Sequence, residues 1–428
     1  MSDKIKNRVL SDGVVGCFIP TPRFKTARLS VCFYLPMNED TASAYALLPF
    51  ILTGCGKNYP TSRLISQKLD NLYGAALACE CDKSGDTQVL RMSITCIENK
   101  YSLDGRDVVA ECAKMLHSLI FDPLCDDGGF EESNFEKEKR LMIERIDSEI
   151  NNKRSYAISR CEAEMCKGEP NSIPRYGSRQ GQVDLTRAEL YTAWQKMLST
   201  AFVRIGYLAS EPSEKAFDIF TSAFSMINRN AEAPQPAEIR PAKATVSEIS
   251  DHMSVKQGKL VLGFRTPVAG SDRDTYKLMV MSDLFGGGPY SRLFDNVREK
   301  MSLCYYCAAR SNRRKGWIMV DSGVEFDNMD KAYSEILNQL DIMRRGEFTD
   351  DSLAASKLSL CDSFSSLGDS QPITDRWYAD RVFYPDAPTP DELAELVRSV
   401  TRDDIVEMAN SLTLDTVYRL LGSEEESK

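Results

Sequence analysis

Histidine is scarce in this sequence, and its scarcity limits the metal chemistry that the chain can support. Two histidines, His117 and His252, occur among 428 residues, in separate regions of the chain. A protein zinc site usually takes its ligands from closely placed His, Cys, Asp or Glu side chains, often one helical turn apart. A zinc site that uses two neighbouring histidines is therefore not expected.

Long apolar segments and a basic excess are also absent. No apolar run approaches the roughly 20 residues that a membrane-spanning helix requires. The start, MSDKIKNRVLSDGVVGCFIP, lacks the pattern of a secretory signal peptide. The chain has 53 Lys and Arg against 63 Asp and Glu, and this net charge of −10 is unfavourable for general nucleic-acid binding. We therefore expect a soluble, cytoplasmic protein that uses neither a membrane nor a nucleic acid as its partner.

The 13 cysteines are odd in number and scattered, which suits a reducing compartment better than a disulfide framework. Two pairs are closely spaced, Cys79 with Cys81 and Cys304 with Cys307. Both pairs lie in segments that alternate like β-strands, where small buried thiols pack well. The alternatives, a four-cysteine zinc site or a redox pair, depend on the spacing alone.

The order of predicted elements repeats in the two halves of the chain. An alternating strand that ends in proline, residues 28–36, has a counterpart at 258–267. In each half an apolar helix, a second helix that opens with Ser-Arg-Leu and a hairpin follow, the hairpins at 76–96 and 303–324. The repetition predicts an α+β fold of two homologous domains, each a mainly antiparallel sheet with helices packed on one face.

A segment rich in proline, alanine and charge separates these halves. Residues 228–256 have no apolar period long enough for a core element, so they are the predicted linker. The predicted domains are then residues 1–227 and residues 257–428.

This arrangement resembles the pitrilysin (insulinase-like, M16) peptidase family over nearly the whole chain. The likeness is carried by the strand ending at Pro36, by YALLPFILTGCGKNYPT (45–61), by SRLISQKLDNLYGA (62–75) and by GGGPYSRLFDNVREKMSLCYY (286–306). The chain is similar to a non-catalytic Gram-positive subgroup, some of whose members are named for an association with elongation-factor-P modification. The resemblance implies an M16 peptidase-like fold.

Catalytic members of this family hold zinc with a His-x-x-Glu-His motif on the first helix and a Glu from a later helix. The resemblance places Ala46, Pro49 and Phe50 at the motif positions and Arg145 at the later Glu. None of these side chains binds zinc, and a proline inside a helix costs about 3 kcal/mol. We therefore expect a degenerate zinc site, with no metal, no other cofactor and no catalytic residue on this chain alone.

The resemblance gives the second half a different role. In active relatives an Arg and a Tyr of the second domain close over the bound peptide and stabilise its carbonyl. Arg298 and Tyr305 stand at the matching positions, and the glycine turn with Gly286 and Gly287 precedes them. The residues alone also allow a solvated helix arginine, a half-buried strand tyrosine and a turn that only ends a helix.

The function implied by the resemblance is that of a zinc-less, non-catalytic subunit that binds peptides. It would complement an active paralogue that carries His-x-x-Glu-His, as a heterodimer engaged in proteolysis. The alternative is a free-standing scaffold, for example a homodimer, that binds peptides or proteins and assists translation-factor modification. The sequence leaves the peptide and the partner open.

Overall fold

The computed structural model describes residues 5–270 and 272–423. Its strands are β1 (Lys6–Ser11), β2 (Val14–Pro20), β3 (Thr26–Pro36), β4 (Ala76–Ser84), β5 (Thr87–Ile97), β6 (Cys125–Asp126), β7 (Gly129–Phe130), β8 (Phe202–Ala209), β9 (Ser247–Met253), β10 (Gly258–Arg265), β11 (Cys304–Asn312), β12 (Trp317–Val324) and β13 (Thr413–Gly422). Its α-helices are α1 (Glu39–Gly54), α2 (Ser62–Asn71), α3 (Val108–Phe121), α4 (Glu132–Ser148), α5 (Lys153–Met165), α6 (Arg179–Asp184), α7 (Arg187–Thr200), α8 (Glu214–Ser225), α9 (Thr275–Gly286), α10 (Met329–Arg344), α11 (Asp350–Ser366), α12 (Gln371–Ala379), α13 (Pro390–Ser399) and α14 (Arg402–Ser411). A helix of π type spans Leu293–Lys300.

Two compact units are built from discontinuous segments of the chain. The first unit contains the chain up to Asp147, Ile173–Gln235 and Leu367–Asp386. The second unit contains Ser148–Ser172, Pro236–Ser366 and the chain from Ala387. Each unit thus includes a segment from the opposite half of the sequence, which the linear division into 1–227 and 257–428 did not include.

The sheet of each unit is mainly antiparallel, which confirms the predicted fold class. In the first unit the strand order is β1-β2-β8-β3-β5-β4, with one parallel pair, β2 with β8. In the second unit the order is β11-β12-β10-β13-β9, again with one parallel pair, β13 with β9. Strand β9 lies inside the segment predicted as a linker. Its residues alternate between half-buried and exposed positions, and they pair with β13.

The inner face of the first sheet carries the main hydrophobic core. Phe33 and Leu90 from the sheet and Leu47 from α1 are fully buried in one cluster. Helix α1 begins at a favourable cap, because the Asn38 side chain accepts a hydrogen bond from the Asp40 N–H at 2.8 Å. The buried side chains of α1 hold the helix against β4 and β5, so the predicted motif positions have a fixed place.

The outer face of the first sheet is partly covered by α12, which comes from the second half of the chain. Tyr378 of α12 packs with Cys17 and Leu208 of the sheet. Asp375, which is 2% exposed, is paired with Arg204 at 2.9 Å and with Arg28 at 3.4 Å. Buried charges are tolerated only when they are paired in this way.

The outer face of the second sheet is covered by α5, which comes from the first half. Cys161 and Met165 of α5 pack with Val261 and Tyr418 of the sheet. Just after α5, the Glu169 carboxylate forms a pair with Arg265 and a second pair with Lys315 at 2.6 Å. In each unit, therefore, a buried carboxylate fixes the segment that comes from the opposite half of the chain.

The buried Asp375 is expected to make the stability of the first unit depend on pH. Burial raises the pKa of Asp375, but the positive charges of Arg204, Arg28 and Arg91 outweigh it and hold the pKa below its ordinary value. Such a carboxylate stabilises the fold above its unfolded pKa of about 3.9, and its contribution is lost as the pH falls through the folded pKa. We expect Asp375→Asn to lower the free energy of unfolding by about 3 kcal/mol at neutral pH and to flatten its decline in acid, measured by urea titration.

Asp369→Asn is the matched control. Asp369 pairs with Arg23 at 2.7 Å, but both side chains are largely exposed, so the change should cost less than about 1 kcal/mol and leave the acid decline intact. An Asp375→Asn protein with wild-type stability and the wild-type pH dependence would contradict the role assigned to the buried pair.

Candidate functional site

The first helix presents the three predicted motif positions on a continuous α-helix. Ala46 and Pro49 are buried, whereas Phe50 is partly buried. Helix α1 continues through Pro49, and the Thr53 hydroxyl donates a hydrogen bond to the Pro49 carbonyl at 2.7 Å. The proline therefore removes one helical N–H without ending the helix.

Arg145 of α4 lies against the same part of α1. Its guanidinium carbon lies 4.2 Å from the ring centroid of Phe50 and 5.7 Å from that of Tyr176. These distances are those of cation–π contacts, in which the positive charge faces an aromatic ring. The structure thus brings together Phe50 and Arg145, two of the four positions that sequence reasoning assigned to the lost zinc site.

Tyr176 belongs to this cluster and was missed by sequence reasoning. It lies in the loop before α6, and the Arg175 guanidinium carbon is 4.5 Å from its ring centroid. No periodic pattern or motif in the sequence connects this loop with α1 or α4. Its place depends on tertiary contacts such as the Gln182 amide, which donates to the carbonyls of Ser43 and Tyr176 at 2.9 Å each.

The side chains of this cluster do not fit a zinc ion. An alanine methyl group, a proline ring and a phenylalanine ring offer no lone pair to a metal, and the guanidinium of Arg145 is itself a cation. Guanidinium can donate hydrogen bonds to a carbonyl or carboxylate, but it cannot activate water as zinc does. In residues 5–270 and 272–423, no group of three or more His, Cys, Asp or Glu side chains is placed to hold a metal ion.

The two histidines lie in different units. His117 is on α3, where it stacks on Phe121 at 4.8 Å and where burial lowers its pKa. His252 is on β9, opposite Leu421 of β13, and not in a linker as the sequence indicated. Neither is on α1 or α4, which carry the motif positions.

Strand β4 passes directly beside the degenerate site and forms the edge of its sheet. Burial raises the pKa of Cys79 on β4, while a hydrogen bond with Thr53 and the charge of Arg145 act in the opposite direction. Cys79 therefore lies among α1, α4 and the sheet. Because β4 is the last strand in the order, one of its two backbone edges has no neighbouring strand within residues 5–270 and 272–423.

Tyr305 is exposed and Arg298 is partly exposed in the second unit. The side chain of Arg298, on the π-helix, is 40% exposed, and its guanidinium carbon lies 4.5 Å from the ring centroid of Phe294. Tyr305 is 66% exposed. The register of β11 against β12 shifts between Cys304 and Tyr306, so Tyr305 is the extra residue of a bulge at the sheet edge. Their convergence on a peptide carbonyl remains a prediction.

The glycines before the π-helix have close neighbours within their own unit. A Cβ atom at Gly286 would lie 2.4 Å from the Ala309 nitrogen of β11, and one at Gly287 would lie 2.2 Å from a carboxylate oxygen of Asp283. Glycine at 286 is thus required for α9 to approach β11. This finding favours a packing role for Gly286, and peptide contact by either glycine remains a prediction.

The two cysteine pairs also occupy different units, and all 13 cysteines are free thiols. Cys79 and Cys81 are on β4, where the Cys81 thiol donates to the Arg175 carbonyl at 3.2 Å. In the second unit, a hydrogen bond from Cys307 lowers the pKa of Cys304 to about 7, although burial acts in the opposite direction. The bulge at Tyr305 turns Cys304 and Cys307 to the same side of β11.

Comparison with known proteins identifies the family. The chain is 30% identical to the probable inactive metalloprotease YmfF of Bacillus subtilis (strain 168) over 97% of both chains. Residues 184–360 match the peptidase M16 inactive domain. The chain belongs to the M16 peptidase family. Together with the unsuitable residues at the zinc positions, these similarities make it an inactive M16 peptidase homologue.

Two crystal structures share the M16 fold along the chain. A conserved protein from Enterococcus faecalis V583 has a TM-score of 0.91 at 26% identity, covering 99% of this chain and 100% of that one. A peptidase M16 inactive domain from Pseudomonas fluorescens has a TM-score of 0.80 at 15% identity, covering 98% of each chain. The names of these proteins say nothing of elongation factor P, so that association remains a prediction.

Helices that cross a bilayer are long and continuously apolar, unlike those of residues 5–270 and 272–423. None of them is both long enough and apolar enough to cross a membrane.

Zinc binding should return when the four substituted positions are restored. We expect the wild-type chain to retain no zinc after dialysis, and the variant with Ala46→His, Pro49→Glu, Phe50→His and Arg145→Glu to bind about one zinc per chain. The variant that keeps Arg145 but carries the other three changes should bind at least about tenfold more weakly, because the guanidinium repels the dication. Zinc content is measured by plasma mass spectrometry.

Far-UV circular dichroism of each variant serves as the control for folding. Stoichiometric zinc in the wild-type chain would contradict the degenerate site. A folded fourfold variant without zinc would contradict the assignment of these four positions.

Proposed function

We propose that this chain is a non-catalytic M16 subunit that binds peptides in an extended conformation and complements a zinc-bearing paralogue. Peptide hydrolysis then belongs to the pair, with the zinc and the general base on the paralogue. Arg298 and Tyr305 of this chain stabilise the carbonyl of the peptide in the paralogue's active site.

The observation that carries the proposal is the edge of β4 that no strand of the described residues pairs with, beside a site without zinc ligands. A sheet edge binds an extended peptide through backbone hydrogen bonds, and this requires little of its side chains. Phe50 and Arg145 occupy the place where the ligands are absent, so a peptide on β4 would lie beside a guanidinium and aromatic rings. This surface retains peptide binding while water activation is lost.

The exposure of Arg298 and Tyr305 supports the second part of the proposal. Arg298 pairs with Glu299 of its own helix at 3.6 Å, and a surface pair of this kind is weak. Arg298 can exchange it for a peptide carbonyl at little cost. Tyr305 can donate one hydrogen bond from its hydroxyl, and its position on a bulge holds it away from the core of the second unit.

The paired activity should depend on this chain. We expect a mixed fluorogenic peptide library to be cleaved when this chain is mixed with a paralogue carrying His-x-x-Glu-His, and not by this chain alone. Arg298→Ala and Tyr305→Phe should each reduce kcat/KM of the mixture by about 10²-fold, as expected when a donor to the reacting carbonyl is removed.

Lys300→Ala is the matched control, because Lys300 is an exposed cation on the same π-helix that pairs with Asp295 at 2.7 Å. It should leave kcat/KM unchanged. Paralogue activity that is indifferent to this chain, with peptide binding by this chain intact, would overturn complementation and favour a free-standing peptide-binding scaffold.

A further inference from the structure

A cavity of about 470 Å³ lies on the outer face of the first sheet, next to β4. The sheet side is formed by Ala78 of β4 and Ser93 of β5, and the opposite side by Ile373 and Trp377 of α12 together with Leu367. All of these residues belong to the first unit. The proposed hydrolysis of peptides by a pair of subunits does not use this cavity.

The cavity exists because α12 covers only part of the outer face. The buried Asp375 holds α12 over β3 and β8 through Arg28 and Arg204. The long side chain of Arg376 spans the distance from α12 to β4, with its Nη2 atom 2.5 Å from Glu80 Oε2. Small side chains on the sheet below, Ala78 and Ser93, leave the space between these contacts open.

The chemistry of the walls favours an uncharged, apolar occupant. Ile373 is 52% exposed and presents its aliphatic side chain to the cavity, with the half-buried Trp377 beside it. The charges that line the cavity are already engaged, since Glu80 is paired with Arg376 and Arg28 with Asp375, and Asp380 is not free either. A charged ligand would gain no unpaired partner from these groups, whereas an apolar group would remove the exposed wall from water.

The geometry of a β-strand connects this cavity with the edge of β4. Side chains alternate between the two faces, so Cys79, which packs against the inner core and also borders the cavity, points inward, while Ala78 and Glu80 point to the outer face. A peptide strand added to β4 alternates in the same way, and its outward side chains recur about every 6.7 Å. One of them would enter the cavity while its neighbours face Phe50 and Arg145.

We propose that this cavity is a side-chain subsite that selects a large apolar residue, such as Leu, Met or Phe, in a peptide extended along β4. This proposal rests on the peptide binding proposed above and adds the basis of sequence preference to it. The cavity volume lies within the range of small-molecule pockets, about 300–1,000 Å³, so it has room for one large side chain.

The test uses fluorescein-labelled nonapeptides that alternate threonine with one guest residue, because threonine favours the extended conformation. Anisotropy gives Kd for the guests Ala, Leu and Phe with the full-length chain. We expect the Leu and Phe peptides to bind about tenfold more tightly than the Ala peptide. Ala78→Phe fills the cavity from the sheet side and should abolish this preference.

Ile373→Ser is a second variant that removes an apolar wall at a half-exposed position, and it should also reduce the preference. Leu103→Ser is the matched control, because Leu103 is 93% exposed and does not line the cavity. A preference for Leu and Phe that survives in Ile373→Ser and in folded Ala78→Phe would overturn the subsite and leave peptide binding intact. Absence of binding by every peptide would overturn both the subsite and the peptide binding on which it rests.

Discussion

In each unit, a buried carboxylate paired with basic side chains fixes the segment that comes from the opposite half of the chain. The rest of the structure depends on these buried ion pairs. Asp375 is sequestered with Arg204 and Arg28 on the outer face of the first sheet, and Glu169 with Arg265 and Lys315 in the second unit. An arginine left in such a place without its carboxylate would be an unpaired buried charge, which costs several kcal/mol. Each unit therefore requires a segment from the opposite half of the chain, and neither half of the sequence contains a complete unit.

The position of α12 also determines what the first sheet leaves open. Because Asp375 holds the helix over β3 and β8, the outer face of β4 and β5 retains a cavity, and the edge of β4 remains unpaired. On the inner face, α1 and α4 bring Phe50 and Arg145 into contact beside that same edge. The two faces of one strand thus border the cluster of Phe50 and Arg145 and an apolar cavity, the two surfaces on which the proposed peptide binding depends.

Elements defined by local pattern could be predicted from the sequence, and elements defined by partners could not. The proline-ended strands and the two hairpins follow from alternation over a few residues, and β3, β10 and both hairpins are found where predicted. The amphipathic patterns of α5 and α12 indicate that each helix buries one face, but not which sheet receives it. The exchange was therefore missed, as was β9, whose alternating burial depends on its pairing with β13.

The same distinction between local pattern and tertiary partners applies to the residues of the candidate site. The expected degenerate zinc site rests on residue identity alone and stays a prediction, whereas the contact of Arg145 with Phe50 and Tyr176 required the packing of α1, α4 and a loop. The close approach of Gly286 to Ala309 and the bulge at Tyr305 also depend on the pairing of β11 with its neighbours. A glycine in the sequence is compatible with a turn, a ligand contact or a close helix, and only the fold distinguishes them.

The most direct measurement is amide hydrogen exchange of β4 with two N-methylated versions of one bound peptide. In a strand added to β4, every second peptide amide points towards β4. N-methylation of these amides removes the hydrogen bonds to β4, whereas N-methylation of the alternate amides leaves them in place. We predict slower exchange for those amides of residues 76–84 that point away from β5 when the bound peptide keeps its β4-facing amides unmethylated. The same amides should exchange at their original rate when the β4-facing amides of the peptide are methylated. If both methylated peptides bind and neither changes the exchange of the β4 amides, peptide binding at this edge is contradicted.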